Sequence, residues 1–173
     1  VTDKEEIERI FSEAAKAECV GAAFSKDAGN VLPLFAHPSG FGRIAVAYGK
    51  DHIYSIPCDM DTDMDFLFGK MSELAGSAKC FSMCGLKEYL SYLPGAKKET
   101  AFDAVVAAYL LNPLKSDYEY EDVAREQLNL LIDEKLEDAA KACYEAYTAY
   151  AAAPILDEKL KETGMNRLFY DIE

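Results

Sequence analysis

The hydrophobic period of this chain changes near Asp63, and that change limits the folds open to it. Before it, short apolar runs alternate with turn residues. Arg43-Ile44-Ala45-Val46-Ala47-Tyr48, then Gly49-Lys50-Asp51, then His52-Ile53-Tyr54-Ser55-Ile56 has the form of a β-hairpin. Residues 19–24 read as a strand that ends in a turn at Asp27-Ala28-Gly29-Asn30. Residues 31–36 are either another strand or part of an irregular insert closing at Pro38-Ser39-Gly40. In front stands a helical stripe, Ile7, Ile10, Phe11, Ala14 and Ala15, with Thr2 and Asp3 as candidate N-caps.

After Asp63 the pattern is mostly helical. Helices are expected over residues 66–74, 86–93 (stopped by Pro94-Gly95), 104–111 (closed before Pro113) and 120–130, with Asp117 as a cap. Residues 78–83 read as a short strand, and Ala101-Phe102-Asp103 leads into the helix that follows it. The Ala-rich stretch 131–161 is expected to be mostly helical, interrupted or bent near Pro154 and stopped by Gly164. Strands first and helices after, with one helix in front, make a mixed α/β sheet covered by helices. The length of 173 residues suits one domain.

Composition narrows the functions. Half the chain is apolar, enough for a real core. It shows neither a membrane-length apolar run nor a signal-peptide pattern. Five cysteines, an odd number at irregular positions, fit reduced thiols in the cytoplasm better than a disulfide framework. The chain opens at Val1 and ends at Asp171-Ile172-Glu173 without a terminating feature, and reads as a piece of a longer protein. Acids outnumber bases 31 to 18, for a formal charge of −13, and no basic stripe breaks the excess. An isolated chain of this charge is expected to bind nucleic acid poorly.

The local motifs are mostly structural. Asp59, Asp61, Asp63 and Asp65 alternate, but a calcium loop begun at Asp59 has Met64 and Lys70 where Gly and Glu belong. A loop that caps the next helix explains these acids better. His37 lacks a nearby nucleophile pattern. Cys80 and Cys84 read as inert cysteines, and Tyr144, Tyr147 and Tyr150 as one packed side of the last helix.

A resemblance carries the reading further. Thr100-Ala101-Phe102-Asp103, followed by Ala107-Ala108-Tyr109-Leu110-Leu111-Asn112-Pro113, resembles the segment after the second exonuclease motif of bacterial family-A DNA polymerases (DNA polymerase I). Tyr118-Glu119-Tyr120-Glu121-Asp122-Val123-Ala124-Arg125-Glu126 is similar to that family's next helix. The strand end Ile53-Tyr54-Ser55-Ile56-Pro57 and the tail Leu168-Phe169-Tyr170-Asp171-Ile172-Glu173 add to it. Residues 100–126 carry most of the likeness, and residues 18–43 carry little.

The resemblance implies a ribonuclease-H-like fold of the 3′–5′ exonuclease type, a mixed sheet with helices on its faces. In that family four carboxylates hold two divalent metals that activate a water. The first strand's Asp-x-Glu falls on Ala23 and Ser25, or, in a second register, on His37 and Ser39. The next motif, Asn-x3-Asp, falls on Gly85 and Tyr89, with Glu88 adjacent but about 100° around a helix. The last, Tyr-x3-Asp, keeps Tyr147 and has Ala151 in place of the acid.

The expectation is therefore a vestigial domain spanning residues 1–173 that uses no metal and no cofactor. Its partner would be the polymerase domain of the same chain, a DNA-directed DNA polymerase serving replication and repair. DNA would be met only through that parent, and no membrane is involved. The competing expectations are an active two-metal exonuclease with misaligned motifs and a stand-alone interaction domain. For the vestigial domain, Phe102, Val105, Tyr109, Leu110 and Leu111 are expected in the core, and Tyr89 beside an old cleft where truncation matters little.

Overall fold

A computed structural model describes residues 4–26, 41–58, 63–86, 89, 92–97, 100–113, 118–133 and 135–165. The expected features at Thr2 and Asp3, residues 27–40 (with His37 and Ser39), Asp59 and Asp61, Glu88, Asp117 and the tail 168–173 lie outside the described residues. The elements run α1 (Lys4–Ala15), β1 (Val20–Lys26), β2 (Phe41–Gly49), β3 (His52–Pro57), α2 (Met64–Ser77), β4 (Phe81–Met83), β5 (Ala101–Asp103), α3 (Ala104–Leu111), α4 (Tyr120–Leu128) and α5 (Asp138–Glu162).

The five strands form one mixed sheet in the order β3-β2-β1-β4-β5. The expected hairpin is β2 and β3, turned by Lys50 and Asp51 and paired from Arg43–Pro57 to Gly49–His52. β1 is antiparallel to β2 but parallel to β4, which is parallel to β5. The alternation of β1 divides the core. Val20, Ala22 and Phe24 pack with Ile7 and Phe11 of α1 and Leu67 and Met71 of α2. Ala23, with Ala45 and Ala47 of β2, faces Ala142 and Ala146 of α5. The sheet thus lies between α1 and α2 on one face and α5 on the other; α3 and α4 pack with α5.

Helix α1 buries Ile7, Ile10, Phe11 and Ala14, the apolar stripe read from the sequence. Asp63 caps α2 by accepting the Phe66 N–H at 3.0 Å, so the acidic run ends in a helix cap as expected. Helix α5 approaches the sheet through alanines. A methyl group on Gly21 would overlap the Ala146 carbonyl oxygen and lie 2.8 Å from Tyr150 Cβ, so the central strand meets this helix backbone to side of strand, with nothing between.

Several boundaries differ from the sequence reading. Leu86, Tyr89 and Tyr92 lie in 3₁₀ turns, not an α-helix. Gly85, with a φ of +81°, precedes the first of these turns, and single turns of this kind adopt the tighter helix. Residues 101–103 form a strand in their own right. Helix α4 stops at Leu128 because Asn129 takes a left-handed conformation, φ 54°, and Leu130 N–H returns to the Ala124 carbonyl. Residues 131–137 stay out of α5, and the Asp133 carboxylate holds a local turn there by accepting the Lys135 N–H at 2.9 Å. Helix α5 runs through Pro154 to the expected stop at Gly164.

The expected core is also adjusted. Phe102 is buried, but Val105, Leu110 and Leu111 are half-buried and Tyr109 is 43% exposed. Helix α3 packs through Ala104, Ala107 and Ala108, which share a face, and Tyr109 points away from it. No helix among the described residues is long and apolar enough to cross a membrane.

The close approach at Gly21 generates a sharp expectation. Gly21→Ala forces α5 away from β1 and is expected to lower unfolding free energy by about 1–3 kcal/mol or more. Chemical denaturation of the variant beside the parent measures it, and equal midpoints would contradict the packing described.

Candidate active-site cleft

The carboxyl ends of parallel strands are where an open α/β sheet leaves a crevice. Here β1 ends near Phe24 and Ser25, β4 delivers the chain to Cys84 and Gly85, and β5 ends at Asp103. These ends, with the starts of α3 and α4 and the side of α5, enclose a cleft of about 530 Å³. Ser25, Cys84, Tyr89, Tyr120, Glu121 and Glu145 line it, together with Gly85 and Glu119.

Asp103 organises the floor. Its side chain is buried, with the residue 1% exposed, and Oδ1 accepts three backbone N–H groups: Gly85 at 3.1 Å, Val105 at 3.0 Å and Val106 at 3.3 Å. One oxygen thus caps α3 and pins the turn after β4. Gly85 meets that oxygen only in its left-handed conformation, which disfavours a side chain at this position. Burial holds the Asp103 carboxyl above its ordinary value, against the opposing pull of the backbone donors.

The remaining acids make the cleft electronegative. Glu119 and Glu121 stand at the start of α4, where the helix dipole favours carboxylates, and Asp122 accepts the Glu119 N–H at 3.1 Å. Burial pushes the Cys84 thiol well up, and Glu145, Asp103 and Glu121 add to the shift. The Tyr120 phenol is raised by burial first and then by Glu121 and Glu145. Both groups keep their protons at neutral pH, so Cys84 is no nucleophile here, in line with its reading as an inert cysteine. One oxygen of Glu121, Oε2, is buried without a hydrogen-bond partner among the described residues.

The sequence-predicted positions separate in space. Ser25 and Tyr89 do meet in the cleft. Tyr89 is only 9% exposed, and its ring stands 5.0 Å from that of Phe24. It is a core residue with one side in the cleft, not a tolerant rim residue. Ala23 is buried beneath α5 against Ala142 and Ala146. Tyr147 packs beside that alanine cluster, its ring 6.2 Å from that of Tyr150. Ala151 lies elsewhere, in a second cavity with Cys19, Cys80 and Pro154 at the opposite end of β1. The α5 residue that shares the cleft with Ser25 is Glu145. Its signal in the sequence is its place three residues after Ala142, on the edge of the buried alanine face.

The two-metal arrangement implied by the resemblance does not fit these residues. Among the described residues, no three His, Cys, Asp or Glu side chains group closely enough to hold a metal ion.

Comparisons with known proteins agree on the fold. No family model matches the sequence. No curated protein matches it either. Solved structures do. The POL domain of Pol1 from M. smegmatis, in complex with DNA primer-template and dNTP, superposes with a TM-score of 0.70 at 16% identity, over 97% of this chain and 28% of that one. The catalytic core of RRP6 from Trypanosoma brucei gives 0.71 at 12% identity, over 99% and 49%. Brucella melitensis NrnC bound to pGG gives 0.64 at 12% identity, over 92% and 81%. The chain therefore spans about a quarter of the polymerase chain and half of the RRP6 core. The fold is the ribonuclease-H-like one of 3′–5′ exonuclease domains.

Two outcomes follow from the cleft. Phe102→Ala and Tyr89→Ala are each expected to cost about 3–5 kcal/mol, whereas Tyr109→Ala stays within about 0.5 kcal/mol; thermal melting of the three variants separates them. Asp103→Ala strands three donors and is expected to cost about 2–4 kcal/mol, with Asp103→Asn milder because it keeps an acceptor. The folded protein holds the Asp103 proton more tightly than the unfolded chain does. Its contribution to stability is therefore full below the ordinary carboxylate value and declines as pH rises through the folded value. Urea unfolding across that window should show Asp103→Asn gaining on the parent as the pH rises.

Proposed function

We propose that this chain is a 3′–5′ exonuclease-type domain that has lost proofreading chemistry and serves as a structural part of a family-A DNA polymerase. The observation that carries the reading is what the cleft offers at its centre. Strand β1 brings Ser25 to the cleft, with Ala23 buried under α5, and Tyr89 packs on Phe24. Of the acids nearby, Asp103 is committed to the start of α3, and Glu119 and Glu121 stand at the start of α4. The two-metal route to phosphodiester hydrolysis needs carboxylates that hold the metals on which its nucleophile forms. The likeness to the M. smegmatis polymerase, together with residues 100–126, supports the polymerase context. In that context the domain's work is to fold and to hold its neighbour, and DNA reaches it through the parent protein.

Glu145 favours a second reading. It lines the cleft together with Ser25, Glu119 and Glu121. An active nuclease with a rearranged ligand set would need Glu145 together with further ligands, since no three acids among the described residues group closely enough to hold a metal.

A 3′-labelled single-stranded oligonucleotide with magnesium or manganese separates the two. The structural reading expects no release of nucleotides above a contaminant control. Metal-dependent release that disappears in Glu145→Gln would overturn it in favour of the second reading. The polymerase context has its own check: the native reading frame is expected to continue past Glu173 into a palm domain.

A further inference from the structure

The cavity that takes Ala151 holds a pair of cysteines that lies apart from the cleft. Cys19 immediately precedes β1 and Cys80 immediately precedes β4, and the parallel register Val20–Phe81 sets them side by side. The Val20 N–H donates to the Cys80 carbonyl at 2.8 Å, which fixes the two chains at this point. The sulfurs lie 3.1 Å apart. Neighbouring strands are about 4.8 Å apart, inside the roughly 4.4–6.8 Å span of disulfide-linked Cα atoms. Closing the sulfurs to about 2.05 Å needs a movement of about 1 Å.

Both cysteines are half-buried rather than sealed, and they line a cavity of about 820 Å³. That volume is in the range of about 300–1,000 Å³ that encloses small molecules. Lys16 and Lys79 stand on its wall beside two acids, Glu18 and Asp157, the latter engaged by Lys161 at 3.1 Å. The lining is mixed in charge, and the paired sulfurs give the cavity its chemistry. Pro154, which has no N–H to give, leaves the Tyr150 carbonyl free of its helical partner, and the Cys19 sulfur approaches that oxygen at 3.8 Å.

We propose that Cys19 and Cys80 form a thiol–disulfide exchange site that reacts with a low-molecular-weight disulfide to give a reversible Cys19–Cys80 bond. The Cys80 sulfur loses its proton to solvent and attacks one sulfur of the small disulfide. The first small thiolate leaves, and a mixed disulfide remains on Cys80. The Cys19 sulfur, deprotonated in turn, attacks the Cys80 sulfur, and the second small thiolate leaves. Two electrons pass from the cysteine pair to the small disulfide, which becomes two thiols. The order follows from the hydrogen bond: the Cys19 S–H donates to the Cys80 sulfur, which lowers the Cys80 thiol and raises that of Cys19. Once Cys80 is in the mixed disulfide it carries no thiolate to hold Cys19 protonated.

The product would staple the central strand to β4 across a long loop, restricting the unfolded chain. This inference does not rest on the proposed function. The test treats the whole protein with oxidised glutathione, quenches with acid and maps thiols by tryptic digestion with tandem mass spectrometry. The expected product links the peptide 17–26 to the peptide 80–87 through Cys80. Its melting temperature is expected to rise by on the order of 5–10 °C, and dithiothreitol reverses the change. Cys19→Ser is expected to stop at a glutathione adduct on Cys80, while Cys58→Ser still forms the link. Free Cys19 and Cys80 in the treated parent, or a link made through Cys84 instead, would overturn the proposal. Because the parent's own link is read directly, a poorly folding variant does not obscure the result.

Discussion

The seat of α5 on the central strand governs this structure. Gly21 leaves no side chain between β1 and the backbone of Ala146 and Tyr150, and Ala23, Ala45 and Ala47 meet Ala142 and Ala146 along the same contact. A larger residue at any of these places would lift the helix off the sheet. The helix can approach closely only because its inner face is alanine, and from that approach follow the depth at which β1 is buried and the residues of α5 that reach either end of the strand. One end receives Glu145, beside Ser25, and the other receives Ala151 and Pro154, beside Cys19.

The second constraint is Asp103, which acts on the parallel half of the sheet. β4 and β5 are only three residues long and could do little alone. Asp103 compensates by joining the turn after β4 to the first turn of α3 through one buried oxygen. The arrangement stabilises the carboxyl ends of the strands, the part of the fold in which a catalytic centre would be built. In this chain the same region is packed as core: Tyr89 lies against Phe24, and the Cys84 thiol is held protonated among carboxylates. Capping and packing set the shape of the cleft without calling on metal-binding groups.

The legible parts of the fold were those governed by local rules. The stripe on α1, the hairpin of β2 and β3, and the span of α3 follow from apolar spacing and turn residues. The cap at Asp63 follows from a short acid placed before a helix. The misread segments were those in which a local signal met a competing one. Leu86, Tyr89 and Tyr92 fall in a helical pattern but lie in 3₁₀ turns after the left-handed Gly85; the stretch before α5 is rich in helix formers, but Asp133 turns it by accepting the Lys135 N–H. Tyr109 looked like core because it is large, yet the small residues Ala104, Ala107 and Ala108 form the buried face of α3.

The candidate site divides along the same line. The sequence by itself determined the residue types along β1, so alanine and serine at positions 23 and 25 were readable without coordinates. It also determined the elements, since periodicity of two or 3.6 residues is a local property. Only the tertiary structure decided which side chains converge. The spacing from Tyr147 pointed to Ala151, whereas Glu145 is the residue of α5 that faces Ser25, and Cys19 and Cys80 became neighbours across 61 positions of sequence. The physical reason is that convergence depends on the register of a helix sliding over a strand. That register is set by side-chain volume at Gly21 and the alanine face, a contact between segments far apart in the chain that no local pattern encodes.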